Sequence, residues 1–476
     1  MISTGLDAGT WLADMLTERL AQGLAPSLAV AAWRNGEPLV SYLAGDSDGS
    51  GIQPRLDTAY RIASCTKSFT AAALLILRER GLLSLDDEIS TFLPGLRIVG
   101  SAVPTLRMLL SMSSGLPTDN PWADRQESLS VEQMQELMSA GVRLAGVPGS
   151  DYQYSNLGYA LLGQVIRKLA GMPYQNFVEA ELLHPLGLLS TGFDSSVPAA
   201  GGVARGFRKL AHGWQLLPFS APGEFSAIGG LFSTLEDLGR WGSWLAAAFD
   251  EEPEGGQADQ VLSRAARREM QQIHQLMPLT PPDGSLLGYG YGLMVQQSPV
   301  HGRIIYHSGG YPGFSSQFRW HPGSATVLAG FENASYANVG VAVAAALEEL
   351  LAGELLAREA HGDQGQFPGA EPWPEALAIR AVVERLVRGW DDSLARSIFA
   401  ENVELDIPMA ERRGSLAGLL EQLGPLLEEP GSAGYSSNPA QLEWTMPATR
   451  GRLKCSFSLS PLDAPEVQEL EFSAVP

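Results

Sequence analysis

The chain has 476 residues, of which 45% are hydrophobic and 18% charged, a composition typical of globular proteins. Its length exceeds that of an ordinary single domain and predicts two or three domains. Asp and Glu total 53 against 32 Lys and Arg, and the resulting net charge of −21 argues against nucleic acid and anionic membrane surfaces as partners.

Metal-binding and disulfide patterns are missing from the sequence. It contains two cysteines and seven scattered histidines, with no His-Glu-x-x-His pair. We therefore expect no disulfide framework, no catalytic metal and no cofactor.

Membrane and export signals are also missing. No apolar stretch reaches the roughly 20 residues of a membrane-spanning helix, and the first 20 residues lack the pattern of a secretion signal. We expect a cytoplasmic protein, or a secreted or periplasmic one if a leader has been removed.

The first 360 residues have strand patterns at both ends and helical patterns between them. The predicted elements, in chain order, are a helix over 7–23, strands over 27–33 and 38–45, helices over 71–83, 131–141 and 157–171, four strands within 289–333 and a helix over 337–358. The turn-forming pair Asn35-Gly36 joins the first two strands as a hairpin. We predict an α/β (α+β) fold, in which one antiparallel sheet joins this hairpin to the later strands. The first and last helices cover the sheet, and the middle helices form a lobe against it.

Residues 361–375 are rich in Gly, Pro and acidic residues, which predicts a linker between a domain over 1–360 and a second over 376–476. In the second domain we predict two helices, a short strand over 403–408, a third helix and three strands. The segment VRGWDDSLARSIFAENVELDIP (387–408) resembles the cone-shaped α+β domains of the nuclear-transport-factor type. A lipocalin-like barrel is the alternative. We expect an accessory role, with homo-oligomer formation through this domain.

The sequence Ser64-Cys65-Thr66-Lys67 is a Ser-x-x-Lys element at the start of a predicted helix. Residues three apart share a helix face, so the Lys67 amine is expected one turn from the Ser64 hydroxyl. Burial disfavours the lysine cation and would let the amine help to remove the serine proton. The alternative is coincidence, since about one such spacing is expected by chance in a chain of this length.

Tyr154 and Asn156 precede a second helical run. A phenol beside a lysine ammonium loses its proton more readily, which makes Tyr154 a candidate general base. The Asn156 amide could orient a substrate carbonyl. The alternative for this segment is a helix cap with a packed tyrosine.

The third element is the run His307, Ser308, Gly309 and Gly310 at the end of a predicted strand. Glycines there would let a substrate approach the strand edge. The backbone N–H groups of Ser64 and Gly310 could form an oxyanion hole. The alternative is an ordinary strand end with a turn.

Together the three elements resemble the serine β-lactamase and penicillin-binding-protein superfamily. The closest branch is that of class C β-lactamases with their esterase, D-aminopeptidase and D-Ala-D-Ala carboxypeptidase relatives. Other matching segments lie at 105–117, 148–163, 185–193 and 226–241. The resemblance covers residues 8–358 and implies the same fold that the pattern predicts.

The resemblance also implies roles. Ser64 would be the acylated nucleophile, Lys67 and Tyr154 would share the proton transfers, and Asn156 would hold the acyl amide. His307 and Ser308 would line the pocket beside the departing group, next to Gly309 and the oxyanion donor Gly310.

Two positions depart from the family pattern. The usual Lys-Thr-Gly triad is His307-Ser308-Gly309 here, and a histidine of ordinary pKa is largely neutral at neutral pH. The triad therefore looks more like that of D-aminopeptidases and some esterases. Met112 stands where relatives often carry a histidine, and we expect it to be structural.

We therefore predict a metal-free serine hydrolase that acts on small esters or peptide amides, including peptides with D-residues. One alternative is a true class C-type β-lactamase or D-Ala-D-Ala carboxypeptidase, with a lactam or peptide as the small-molecule partner. Another is a penicillin-binding or regulatory module without turnover.

Overall fold

The computed structural model describes residues 5–100, 102–250, 257–279, 281–360, 370–429 and 431–475. Contacts within the chain divide it into two compact units, Met1–Glu354 and Leu355–Pro476. Most of the predicted linker, residues 361–369, lies outside the described residues.

The larger unit contains ten helices and fourteen strands among the described residues. The helices are α1 Gly5–Ala21, α2 Thr66–Glu79, α3 Leu106–Leu110, α4 Asn120–Ala123, α5 Val131–Ala140, α6 Asn156–Ala170, α7 Tyr174–Val178, α8 Leu235–Ala246, α9 Arg264–Met270 and α10 Gly340–Ala360. The strands are β1 Ser27–Arg34, β2 Glu37–Gly45, β3 Tyr60–Arg61, β4 Ile98–Val99, β5 Val142–Arg143, β6 Phe207–Leu210, β7 Gly213–Leu216, β8 Phe232–Ser233, β9 Gln275–Leu276, β10 Leu286–Tyr289, β11 Met294–Ser298, β12 Gly302–Tyr311, β13 Phe314–His321 and β14 Thr326–Glu332.

The central sheet has eight strands in the order β2-β1-β14-β13-β12-β11-β10-β9. The N-terminal hairpin joins the later strands through antiparallel pairing of β1 with β14. This pairing confirms the predicted sheet. It also brings β12, the strand with the His-Ser-Gly-Gly run, to an interior position next to β13.

Helices cover both faces of this sheet. Residues 27–33 of β1 are all buried, as expected for a strand enclosed on two sides. Helix α8 packs on β1, β13 and β14, and α1 packs on β1 and β2. Gly330 of β14 lets α10 approach closely, because an added Cβ would lie 2.5 Å from Val343.

The helical lobe is built around α2 and α6, which pack against each other and against α7. Residues 66–77 of α2 are all buried, so this helix runs through the core of the unit. Helix α6 begins after Ser155, whose side chain accepts from the Gly158 N–H, and ends at Gly171 in a left-handed conformation with φ of 67°. The predicted helix ending at this glycine is confirmed.

The smaller unit has four helices and a three-stranded antiparallel sheet among the described residues, with a separate apolar core. These elements are α11 Pro374–Arg388, α12 Asp392–Arg396, α13 Glu401–Asp406, α14 Met409–Leu423, β15 Gln441–Ala448, β16 Gly451–Leu459 and β17 Val467–Val475. The three predicted strands at the end of the chain are present. Kinship with the nuclear-transport-factor type or with lipocalins stays a prediction.

The strand predicted over 403–408 is wrong, because Glu401–Asp406 form a helix. Val403, Leu405 and Ile407 alternate as in a half-buried strand, but only Val403 is buried and Leu405 is 75% exposed. Acidic residues in the first turn favour the helix by interacting with its dipole.

Among the described residues, no helix combines the length and apolar character needed to cross a membrane.

Candidate active site

Ser64 occupies a single 3-10 turn, Ala63–Cys65, directly before α2. Ala63 adopts a positive φ of 47°, a conformation that is uncommon for residues other than glycine. The side chains of Ile62, Ala63 and Cys65 are buried, whereas Ser64 is partly exposed. The turn therefore presents one hydroxyl from an otherwise buried segment.

Strand β12 holds this turn from the other side. A Cβ at Gly309 would lie 2.2 Å from Ser316 Oγ and 2.3 Å from the Ile62 carbonyl oxygen, so only glycine allows this approach. Ser316 Oγ donates to that same carbonyl at 2.6 Å. Cys65 Sγ donates to the His307 carbonyl at 3.2 Å. The sheet thereby fixes the turn that carries Ser64.

The Lys67 side chain is fully buried beneath Ser64. Its Nζ lies 3.1 Å from Ser64 Oγ, 2.7 Å from Asn156 Oδ1 and 2.8 Å from the Ile228 carbonyl oxygen. Burial lowers the pKa of Lys67 to about 7, and the carboxylates of Asp124 and Asp119 oppose this shift. A substantial fraction of the amine is therefore neutral at neutral pH.

Asn156 positions Lys67. Its Oδ1 accepts from Lys67, and its Nδ2 donates to Asp119 Oδ1 at 3.1 Å and Asn120 Oδ1 at 2.7 Å. Asn156 is 1% exposed, and its amide is occupied by these three contacts. In this geometry the side chain orients the amine, and its contact with the acyl amide stays a prediction.

Tyr154 contacts the same pair of residues, with a side-chain hydrogen bond to Ser64 and its ring centroid 5.2 Å from Lys67 Nζ. Burial raises the pKa of Tyr154 well above its ordinary value and outweighs a hydrogen bond with Ser64, which lowers it. The expected loss of the phenol proton beside the lysine is therefore not favoured. The Tyr154 phenol is therefore protonated in this site, and its part in proton transfer stays a prediction.

His307 is fully buried and does not line the cavity at Ser64. Its Nδ1 lies 2.7 Å from the Ser308 carbonyl oxygen and its Nε2 lies 2.9 Å from Tyr289 Oη. A neutral ring satisfies both contacts, with Nδ1–H donating and Nε2 accepting. Burial lowers the pKa of His307 to about 3, and the Lys67 charge acts in the same direction. His307 is therefore neutral.

A cavity of about 260 Å³ opens at Ser64. Its lining residues are Ser64, Asn120, Asp124, Tyr152, Tyr154, Met294, Ser308, Gly310 and Tyr336. Of the eight residues predicted for the site, Ser64, Tyr154, Ser308 and Gly310 reach this cavity. The other four do not line the cavity and lie in the residues packed around it: Lys67, Asn156, His307 and Gly309.

Five lining residues were not predicted: Asn120, Asp124, Tyr152, Met294 and Tyr336. Asn120 and Asp124 belong to a four-residue helix and its end, a segment with no motif in the sequence. Tyr336 comes from the connection between β14 and α10. Such loop residues reach the site through tertiary structure, which their local pattern does not encode.

Met112, which we expected to be structural, contacts a neighbouring segment of the site. Its Sδ accepts from the Ser155 N–H at 3.3 Å, next to the segment that carries Tyr154 and Asn156. Among the described residues, no group of three or more His, Cys, Asp and Glu is placed to hold a metal ion.

The antiparallel sheet, the helical lobe and the site at their junction define the serine β-lactamase and penicillin-binding-protein superfamily. The chain belongs to the Beta-lactamase family, whose sequence model matches residues 12–353. Penicillin-binding protein 4* of Bacillus subtilis is 27% identical over 305 residues, which span 60% of this chain and 63% of that protein. The match therefore covers less than two thirds of the relative.

Solved structures extend the comparison. The octameric penicillin-binding protein homologue from Pyrococcus abyssi has a TM-score of 0.63 at 20% identity and covers 97% of this chain and 99% of its own. A D-stereospecific amidohydrolase from Streptomyces sp. has a TM-score of 0.57 at 26% identity, covering 70% of this chain and 97% of its own. The first neighbour shows the fold, and the family together with the amidohydrolase supports a hydrolase as the general class.

Proposed function

We propose that this protein is a serine hydrolase that forms an acyl-enzyme on Ser64. The observation that carries the proposal is the 3.1 Å separation of Lys67 Nζ and Ser64 Oγ at the base of an open cavity. A serine hydroxyl needs a base to become a nucleophile, and a buried lysine with a pKa of about 7 is suited to that task.

Acylation begins with neutral Lys67. Its two N–H groups bond to Asn156 Oδ1 and the Ile228 carbonyl oxygen, which leaves the lone pair directed to Ser64. Ser64 Oγ attacks the substrate carbonyl carbon while its proton passes to Lys67 Nζ. The backbone N–H groups of Ser64 and Gly310 are the proposed donors to the oxyanion, worth about a hundredfold or more in rate.

Collapse of the tetrahedral intermediate expels the leaving group. Tyr154 donates its phenol proton to the departing nitrogen or oxygen and recovers a proton from the Lys67 ammonium. In the second step, water attacks the ester on Ser64, and the same groups accept its proton and return one to Ser64 Oγ. Both steps use the same site without a net change in its protonation.

We favour small esters and peptide amides, including those with D-residues, as substrates. The cavity of about 260 Å³ is smaller than typical sites for drug-sized ligands and suits a small acyl group. Neutral His307 replaces the cation with which related enzymes hold a substrate carboxylate. This substitution disfavours efficient β-lactamase or carboxypeptidase activity.

Labelling with a fluorophosphonate, followed by intact mass measurement, tests the acyl-enzyme. We expect one adduct on the full chain and none on Ser64→Ala, with Ser139→Ala, an exposed serine, as the matched control. Absence of an adduct, or its persistence in Ser64→Ala, would refute the proposal. A panel of p-nitrophenyl esters, D- and L-aminoacyl p-nitroanilides and nitrocefin then ranks substrates, and efficient nitrocefin turnover would contradict the substrate preference.

For the C-terminal unit we propose an accessory role in homo-oligomer formation. It has its own apolar core and leaves Leu405 and Leu462 75% and 61% exposed. Light scattering on the full chain tests this role. A monomeric mass at working concentration would contradict it.

A further inference from the structure

The charge of the cavity at Ser64 comes from one unpredicted residue. Asp124 is the only Asp, Glu, Lys or Arg among the described residues that line the cavity. It is 7% exposed, and none of the ion pairs among the described residues includes it. Burial raises the pKa of the Asp124 carboxyl and so disfavours its charged form, a cost that a cationic ligand in the cavity would offset.

Among the described residues, one hydrogen bond reaches the Asp124 side chain. Tyr336 Oη donates to Asp124 Oδ2 at 2.9 Å. The Tyr336 ring lies against β12 at Gly310, where an added Cβ would be 2.9 Å from the ring. No described residue donates to the other oxygen, Oδ1, which leaves it available to a ligand.

The neighbouring acids already have partners. Glu127 faces Arg61 at 3.6 Å and accepts from Ser226 Oγ at 2.8 Å. Asp119 accepts from the backbone N–H groups of Asn156 and Leu157 at 2.8 and 2.9 Å. These two carboxylates maintain the fold around the site, whereas Asp124 faces the space that a substrate would fill.

The surrounding groups complement a cation more than an anion. The rings of Tyr152, Tyr154 and Tyr336 line the cavity, and aromatic faces attract ammonium groups. His307 is neutral, and the Lys67 amine is hydrogen-bonded to Ser64, Asn156 and the Ile228 carbonyl outside the cavity lining. A substrate carboxylate would therefore meet a like charge without a compensating cation from the lining residues.

We propose that the Asp124 carboxylate binds the free amino group of the substrate, so that aminoacyl amides and esters are the preferred class. The inference rests on the proposed acyl-enzyme function, and it assigns the recognition of the acyl part to Asp124. An ammonium hydrogen-bonded to a carboxylate in such a site contributes about tenfold to a hundredfold in affinity.

Binding to the Ser64→Ala variant tests this site without turnover. Phenylalaninamide and 3-phenylpropanamide differ only in the amino group, and each enantiomer of the former is titrated by calorimetry. We expect at least one enantiomer to bind tenfold or more tightly than 3-phenylpropanamide. This preference should disappear when Asp124→Asn is added and persist when Asp151→Asn, an exposed acid near Tyr152, is added instead.

Turnover by the chain with Ser64 intact provides the second readout. We expect the kcat/KM ratio of an aminoacyl p-nitroanilide to its N-acetylated form to fall at least tenfold in Asp124→Asn. Equal binding of both amides, or an unchanged ratio in Asp124→Asn, would overturn the ammonium site even if Ser64 is labelled normally. Failure of fluorophosphonate labelling, with the binding preference intact, would instead refute the acyl-enzyme function alone.

Discussion

The Lys67 amine and the Ser64 hydroxyl lie 3.1 Å apart, although the lysine is fully buried and the serine is partly exposed. One helical turn joins them, so burial of α2 in the core fixes both positions. The same burial that anchors the helix also lowers the pKa of Lys67 to about 7. Packing and proton transfer are therefore coupled at this residue.

Removal of the Lys67 amine should slow acylation by roughly a hundredfold or more, the usual scale for lost acid–base catalysis. The variant is Lys67→Ala, and the measurement is the pre-steady-state burst with a p-nitrophenyl ester. Lys168→Ala, which removes an exposed lysine from α6, is the matched control. A near-normal burst rate in Lys67→Ala would contradict the base role.

The rate of acylation should depend on pH through the same amine. Because only neutral Lys67 accepts the serine proton, kcat/KM for an uncharged ester should rise with pH and level off above about 7. His307, with a pKa of about 3, should not contribute a second ionisation near neutrality. A profile that is flat between pH 5 and 9 would show that Lys67 does not titrate in this range.

Loss of the Tyr154 hydroxyl should reduce turnover of amides more than of activated esters. Tyr154 is expected to protonate the leaving group, and a p-nitrophenolate leaves without that help whereas an amine does not. We expect Tyr154→Phe to lower kcat/KM for amides by roughly a hundredfold or more. Tyr42→Phe, in edge strand β2, is the control. Equal losses for both substrate types would argue that the hydroxyl acts before the leaving group departs.

The sequence was sufficient to predict the sheet and the family because each strand pattern and each motif is encoded locally. Alternating apolar residues specified the strands over 289–333, and the Asn35-Gly36 turn specified the hairpin. The spacing of Ser64 and Lys67 specified a one-turn contact, which the helix preserves. These features depend on positions close together in the chain.

The rest of the site depends on long-range packing. The position of His307 behind the cavity follows from its contact with Tyr289, 18 residues earlier. Asp124 and Tyr336, 212 residues apart, meet only in the folded chain. Long-range packing also explains why the strand predicted over 403–408 is wrong. The pattern suggested a buried strand face, but the folded chain buries only Val403, which a helix also allows. Tertiary environment, rather than local pattern, decided each case.

Strand β12 approaches the turn Ala63–Cys65 closely at Gly309, which predicts that a larger residue at this position destabilises the protein. In Gly309→Ala the new Cβ would lie 2.3 Å from the Ile62 carbonyl oxygen, which must move together with Ser316. We expect a loss of about 1–3 kcal/mol in the free energy of unfolding, as for other overpacked sites. Acylation should also slow, because Ile62 precedes the turn that presents Ser64.

Urea denaturation and the ester burst measure the two effects on the same preparation. Gly353→Ala in α10 is the control, because a Cβ there meets no atom within 4 Å and alanine favours a helix by up to about 1 kcal/mol. We expect this control to keep or raise the unfolding midpoint. If Gly309→Ala unfolds at the wild-type midpoint with an unchanged burst rate, contact between β12 and the turn does not constrain the nucleophile.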